Sequence, residues 1–193
     1  LTHLAALEPI ARNVGLIRSN PKNQWILSTN TDMIFVTDGG SLTEIVADLE
    51  VDHYGIPRYE IPETLWETFD RKDASGTIDE ISKMAKRHHL NQVVLSAKPH
   101  MFDAPGDFQL IPRQTLLDVN GFDEEMLLGW HVDSNISKRL SLIFGNVKDL
   151  SSKISGYHCD HTRQVTPAHR KSAPANDMVK YVDAVSNAQI SGQ

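Results

Sequence analysis

Trp25-Ile26-Leu27-Ser28-Thr29-Asn30-Thr31-Asp32-Met33-Ile34-Phe35-Val36 is the stretch that decides the fold class. Trp25 to Ser28 and Met33 to Val36 are short apolar runs that suit buried strands. The polar group Asn30-Thr31-Asp32 separates them and reads as a bend. Upstream, Ala5 to Arg18 carries Leu7, Ile10, Val14 and Ile17 at helical spacing, and Ser19 to Asn23 is a turn by composition. Helix, turn, strand and polar bend make half of a βαβ unit, whose first strand is expected upstream of Leu1.

Downstream, Ser41 to Leu49 predicts a helix, with Ser41 as N-cap and Glu44 at N3 in a capping-box pattern. His53 to Ile61 reads as extended, broken at Gly55-Ile56-Pro57. Thr64 to His89 reads as mostly helical, interrupted near Asp73-Ala74-Ser75-Gly76. Gln92 to Leu95 and Phe108 to Ile111 suit strands, with a loop over Lys98 to Asp107. Pro112 to Val119 is a short helix closed by Asn120-Gly121. Val132 to Phe144 is helical and ends at Gly145, Lys153 to Cys159 is extended, and a last amphipathic helix is expected from Asn176 to Ala188. Strands mixed with helices give an α/β class. The expected organisation is one domain over residues 1–170, followed by a helix and tail over 171–193.

The 193 residues are 40% hydrophobic and 23% charged, which is ordinary globular composition with room for one core. A formal net charge of -6 and the lack of a basic stripe argue against a nucleic-acid partner. The short basic groups Lys86 to His89 and His169 to Lys171 read as solvated surface. Cys159 is the single cysteine, so an internal disulfide is excluded. No apolar run approaches the roughly 20 residues that span a bilayer, so no transmembrane segment is expected. The expected location is cytoplasmic, with a peripheral membrane position as the variant.

Acids and histidines gather at the ends of the expected strands, where open α/β sheets place their sites. Asp32 follows a buried strand; its carboxylate suits a hard cation that also grips a diphosphate, or a simple turn. Gly106-Asp107-Phe108 fits turn chemistry or the close approach of a substrate to the backbone. Asp133 opens a helix, as a plain N-cap or as a general base, and Trp130 nearby suits stacking on a sugar face. Tyr157-His158-Cys159-Asp160-His161 sets two histidines around an acid. In an extended segment they point to different faces, so one metal ligand is expected from the pair. No zinc-finger spacing is present.

Together these segments resemble the family-2-like GT-A glycosyltransferases. Arg12-Asn13-Val14-Gly15, followed by Trp25 to Met33 with Asp32 as its final acid, is similar to that family's segment ending in the so-called DxD motif. Gly106 to Leu110, Gly121-Phe122-Asp123-Glu124 and Trp130-His131-Val132-Asp133 resemble its acceptor-side segment. Tyr157 to His161 resembles its later histidine segment, and Arg58-Tyr59-Glu60-Ile61-Pro62 an R-x-(D/E)-x-P piece found in a set of bacterial members. The resemblance spans roughly residues 8 to 167.

It implies a GT-A-like three-layer fold around a mixed sheet, incomplete at the N-terminus. It also implies a nucleotide-sugar donor, a glycan or small-molecule acceptor, and Mn²⁺ or Mg²⁺ as cofactor. By the same resemblance Arg12, Asn13, Asn30, Asp107 and Trp130 belong to substrate or nucleotide binding. Asp32 with His158 or His161 holds the metal, and Asp133 acts as the base. Two departures stand out. Asn30 replaces the first acid of the DxD motif, offering a carbonyl oxygen without charge. The N-terminal βαβ that holds the nucleotide base in the family has no counterpart in this sequence, so a longer chain or a partner is expected to supply it. The alternatives are a non-catalytic carbohydrate- or partner-binding fragment of the same fold, and a metal hydrolase on another fold.

Overall fold

The computed structural model describes residues 7–87, 90–93, 106–126 and 132–161. Trp130, most of the loop expected over 98–107, the end of the 92–95 strand and the whole 171–193 segment with its helix lie outside the described residues.

The elements run α1 (Glu8–Arg18), β1 (Trp25–Thr29), β2 (Met33–Thr37), α2 (Leu42–Ala47), β3 (Tyr54–Gly55), β4 (Arg58–Ile61), α3 (Glu63–Trp66), α4 (Ala74–Arg87), β5 (Gln92–Val93), β6 (Phe108–Pro112), α5 (Arg113–Asp118), α6 (Val132–Phe144), β7 (Lys148–Asp149) and β8 (Ile154–Cys159). The class is α/β, as expected. The strands divide into two four-stranded mixed sheets, ordered β1-β6-β3-β7 and β2-β8-β4-β5, where a single mixed sheet was expected. Among the described strands β1 has one neighbour, antiparallel β6.

Three successive strand pairs pass from the first sheet to the second: β1 to β2, β3 to β4 and β7 to β8. The crossings fall where the sequence breaks its apolar runs. Asn30-Thr31-Asp32 carries the first, and Ile56-Pro57 the second, where proline lacks the N–H a continuous ladder needs.

β6 is buried along its whole length. Ile111 faces a core with Leu16 of α1, Leu116 of α5, Phe122 of the turn after α5, and Leu140 of α6. Phe108 and Leu110 face a second core with Ile56 and Ile154, against which Phe35 packs edge-to-face on Phe108 at 5.2 Å. The far side of the second sheet closes on α3 and α4 through Ile61, Phe69, Ile81 and Tyr157. Tyr59 and Tyr157, neighbours in the parallel β4–β8 pair, stack with ring centroids 5.6 Å apart.

Local chemistry sets most boundaries. The Ser41–Glu44 capping box forms in both directions and starts α2. The interruption expected at Asp73 to Gly76 lies earlier, over residues 67–73. Asp73 Oδ1 accepts the Gly76 N–H at 2.9 Å, so Asp73 caps α4 and Gly76 is already helical. On α1 the buried face is Pro9, Asn13 and Leu16, and the expected stripe positions Val14 and Ile17 are 47% and 70% exposed. The side chain of Asn13 is the reason: it accepts from Phe122 N and donates to Phe122 O, both at 2.8 Å, which turns that face inward.

Candidate metal centre

Asp32 is the last residue before β2 enters the second sheet, and strand register decides what it meets. β8 runs antiparallel to β2 with Met33 opposite His158, and Cys159 N–H donates to Asp32 O at 2.9 Å. The imidazole of His158 therefore comes up beside the Asp32 carboxylate. β8 ends at Cys159, and the chain is turned by the Asp160 N–H bond to Ile61 O at 2.9 Å. That turn releases His161 from strand alternation. Both histidines reach the same oxygen: Asp32 Oδ2 lies 3.3 Å from His158 Nε2 and 3.1 Å from His161 Nε2. The expectation that only one of the pair reaches the site is corrected, because the strand stops between them.

β4 lies parallel to β8 on its other side and sets Glu60 opposite His158. Glu60 Oε2 is 2.6 Å from His158 Nδ1. A carboxylate only accepts, so Nδ1 donates to Glu60, and Nε2 is the ring atom that faces Asp32 and can turn a lone pair to a cation. A carboxylate behind a ligating imidazole is the usual support of a metal-bound histidine. His158 is 4% exposed, so its orientation is fixed by burial as well.

Asp32, His158 and His161 offer ligand atoms within 4.8 Å of one another. Metal–ligand bonds of about 2.1 Å put neighbouring ligand atoms about 3.0 to 3.4 Å apart, which matches the two spacings on Asp32 Oδ2. The other oxygen, Asp32 Oδ1, is buried and has no hydrogen-bond partner among the described residues. The donor chemistry, two imidazoles and a carboxylate, suits a divalent transition ion. A second grouping, Glu60, His158 and Asp160, shares His158 and would need its Nδ1, which Glu60 already holds.

A chain of polar contacts leads from this cluster to the start of β6. Glu60 Oε1 accepts from Arg58 Nε at 2.8 Å, and Arg58 Nη1 donates to Asp107 Oδ2. Arg58 and Glu60 alternate with Tyr59, which places them on one face of β4. Asp107 Oδ1 accepts from Asn30 Nδ2 at 2.7 Å, while Thr29 Oγ1 donates to Asp107 O at 2.6 Å. Asn30 Oδ1 accepts from Arg12 Nη2 at 3.1 Å, so the amide oxygen at the altered motif position is already engaged. Arg12 also bonds Ser28 and Glu8 and lies over the Phe122 ring. Asn13 is a structural tie, bonding Glu124 Oε1 as well as the Phe122 backbone.

Asp133 stands in the first turn of α6, behind Gly106: a Cβ added to Gly106 would collide with its carboxylate. Burial pushes the Asp133 carboxyl above the ordinary range, opposed by the Ser134 N–H bond and reinforced by the negative charges of Glu8 and Asp107. Gln109 Nε2 ties the turn by donating to Asp133 O at 3.0 Å.

Of the residues singled out in sequence, Asp32, His158 and His161 converge on one point. Arg12, Asn30 and Asp107 form the adjoining network, Asp133 lies next to Asp107, and Trp130 is outside the described residues. Glu60 and Arg58 are the functional candidates to which sequence assigned no role; alternation of two charged residues in a strand ending on buried Ile61 was the available signal. No protein-family model and no curated protein matches this chain. Among the described residues no helix is long and apolar enough to cross a membrane.

Proposed function

We propose that this protein is a metal-assisted glycosyltransferase of GT-A type, moving a sugar from a nucleotide-diphosphate donor to an acceptor hydroxyl. The observation that carries the reading is the approach of His158 and His161, more than a hundred residues along the chain, to the carboxylate of Asp32 (sequence separations 126 and 129). That carboxylate occupies the position that, by resemblance, grips metal and diphosphate. Of the two ions considered, imidazole ligands favour Mn²⁺ over Mg²⁺, which prefers oxygen.

Asp32, His158 and His161 would hold a divalent cation, which would supply Lewis-acid neutralisation of a leaving diphosphate, worth several kcal/mol in general. Glu60 holds His158 in the tautomer that offers Nε2. Arg58 and Asn30 fix the Asp107 carboxylate at the lip of the first sheet. Asp133 is the group suited to take the acceptor proton: its raised pKa brings its basicity toward that of a working general base.

The test is hydrolysis and transfer of UDP- and GDP-sugars with Mn²⁺. Asp32→Ala and Asp133→Asn are each expected to lower turnover by about a hundredfold or more. Near-normal turnover in both variants refutes the reading. Two imidazoles with one carboxylate also suit a metal hydrolase; tight stoichiometric metal with no response to any nucleotide sugar favours that second reading.

A further inference from the structure

A cavity of about 560 Å³ adjoins the candidate metal centre, and neither Arg58 nor Asp107 lines it. Asp32 and His161 form one end of it. Its walls are the side chains of Met33, Ile34, Trp66, Phe69 and Cys159, drawn from β2, α3 with the turn after it, and β8. Arg71 also lines it, with its guanidinium over the Trp66 ring at 5.5 Å from the centroid. Among the described residues Arg71 makes no ion pair. Trp66 is fixed in turn, since its Nε1 donates to Asp160 O at 2.7 Å. The cavity thus combines hydrocarbon walls, an uncompensated guanidinium and a cluster of cation ligands.

That combination selects among ligands. A sugar or oligosaccharide in this space would leave hydroxyls against Met33, Ile34 and Phe69, and burying an unpaired hydroxyl costs free energy. A nucleobase needs partners for both its polar edge and its sugar, and apart from Arg71 and the Asp32–His161 end the polar lining is Thr31 and Thr77. A hydrocarbon body is favoured by the same walls. An anionic head suits Arg71, which presents donors in a planar fork matched to phosphate oxygens. The volume corresponds to a ligand of drug-like size.

We propose that this cavity binds a small organic phosphate ester with a hydrocarbon body, its phosphate on Arg71 and its body along Trp66, Phe69, Met33 and Cys159. The inference stands on the cavity's own walls and on Arg71, and it goes beyond the sugar-transfer reading without assigning the occupant a part in that reaction.

Calorimetry with octyl phosphate, octanol, inorganic phosphate and UMP tests it, on the Mn²⁺-treated protein and without any nucleotide sugar. Octyl phosphate is expected to bind at least about tenfold tighter than octanol or inorganic phosphate, the size of one charge-assisted hydrogen bond. Arg71→Gln, at an exposed position, is expected to remove that advantage and leave octanol unchanged. Cys159 is the single cysteine, so slowed alkylation of it by iodoacetamide when octyl phosphate is bound places the ligand in this cavity. Octyl phosphate binding no tighter than octanol, insensitivity to Arg71→Gln, or unslowed alkylation overturns the proposal. UMP binding tighter than octyl phosphate in an Arg71-dependent way also overturns it, assigning the space to a nucleotide. Arg71-dependent co-sedimentation with phosphatidate vesicles supports it with a lipid headgroup as the source of the phosphate. Octyl phosphate binding without donor hydrolysis removes the transfer reading and keeps the cavity; hydrolysis without octyl phosphate binding does the reverse.

Discussion

Glu60 illustrates how much of this site depends on a single side chain that is not itself a ligand. One oxygen takes the His158 Nδ1 proton and the other takes Arg58. Glu60→Gln keeps the size but can present an amide N–H to Nδ1, which favours the wrong tautomer. Mn²⁺ affinity by calorimetry is expected to fall about 10- to 100-fold, with the circular dichroism spectrum unchanged; an unchanged affinity contradicts the role. Sequence could point to Asp32, His158 and His161 because acids and imidazoles at strand ends are visible one by one. It singled out Glu60 only within the R-x-(D/E)-x-P resemblance and could not give it this role, because its meaning depends on register with a strand 98 residues away.

His53 makes a different residue-scale statement. It is 2% exposed, with Nε2 lacking a partner among the described residues, and burial holds its pKa down at about 4 against an ordinary 6.5, with Asp52 opposing the shift. The folded state therefore refuses a proton that the unfolded chain accepts. Stability is full above pH 6.5, falls as pH drops from 6.5 toward 4, and levels off below that, a loss on the order of 3 kcal/mol. Chemical denaturation at stepped pH checks this. His53→Gln is expected to flatten that slope, and an equal slope in the variant contradicts the assignment.

At the scale of elements, the end of α5 carries more of the fold than its length suggests. Asn120 and Gly121 take φ of 61° and 66°, and Gly121 N–H returns to Leu116 O at 2.8 Å, a left-handed helix stop. A Cβ at Gly121 would also meet the Asn13 side chain, which clamps α1 to this turn. Gly121→Ala is expected to cost about 1 to 2 kcal/mol from backbone strain alone, and more through the clamp, read as a lowered melting temperature; an unchanged midpoint contradicts the argument. The Asn-Gly stop and the Ser41 capping box were legible because they are local. The face of α1 was not, since Asn13, a polar residue on the buried side, is explained only by a turn 109 residues later.

At the scale of the molecule, the sequence indicated the α/β class and most strands but not their division into two sheets. Two of the three crossings from one sheet to the other follow from breaks read in the sequence, at Asn30 to Asp32 and at Gly55 to Pro57, while the third, between β7 and β8, was not read; a break does not say which strand will be the neighbour beyond it. Those crossings matter for function, because the Asn30 to Asp32 bend is the path by which the first sheet's Asp107 network and the second sheet's histidines come together. Metal occupancy is thereby tied to the fold: the ligands meet only when β2, β8 and β4 are in register.

A Mn²⁺ titration followed by electron paramagnetic resonance probes this most directly, comparing the protein with Asp32→Ala and with the double variant His158→Ala/His161→Ala. Stoichiometric binding in the unaltered protein, abolished in both variants with the fold intact, is the predicted result. Binding in the double variant as tight as in the unaltered protein, or none in either, contradicts the metal centre and the transfer chemistry built on it.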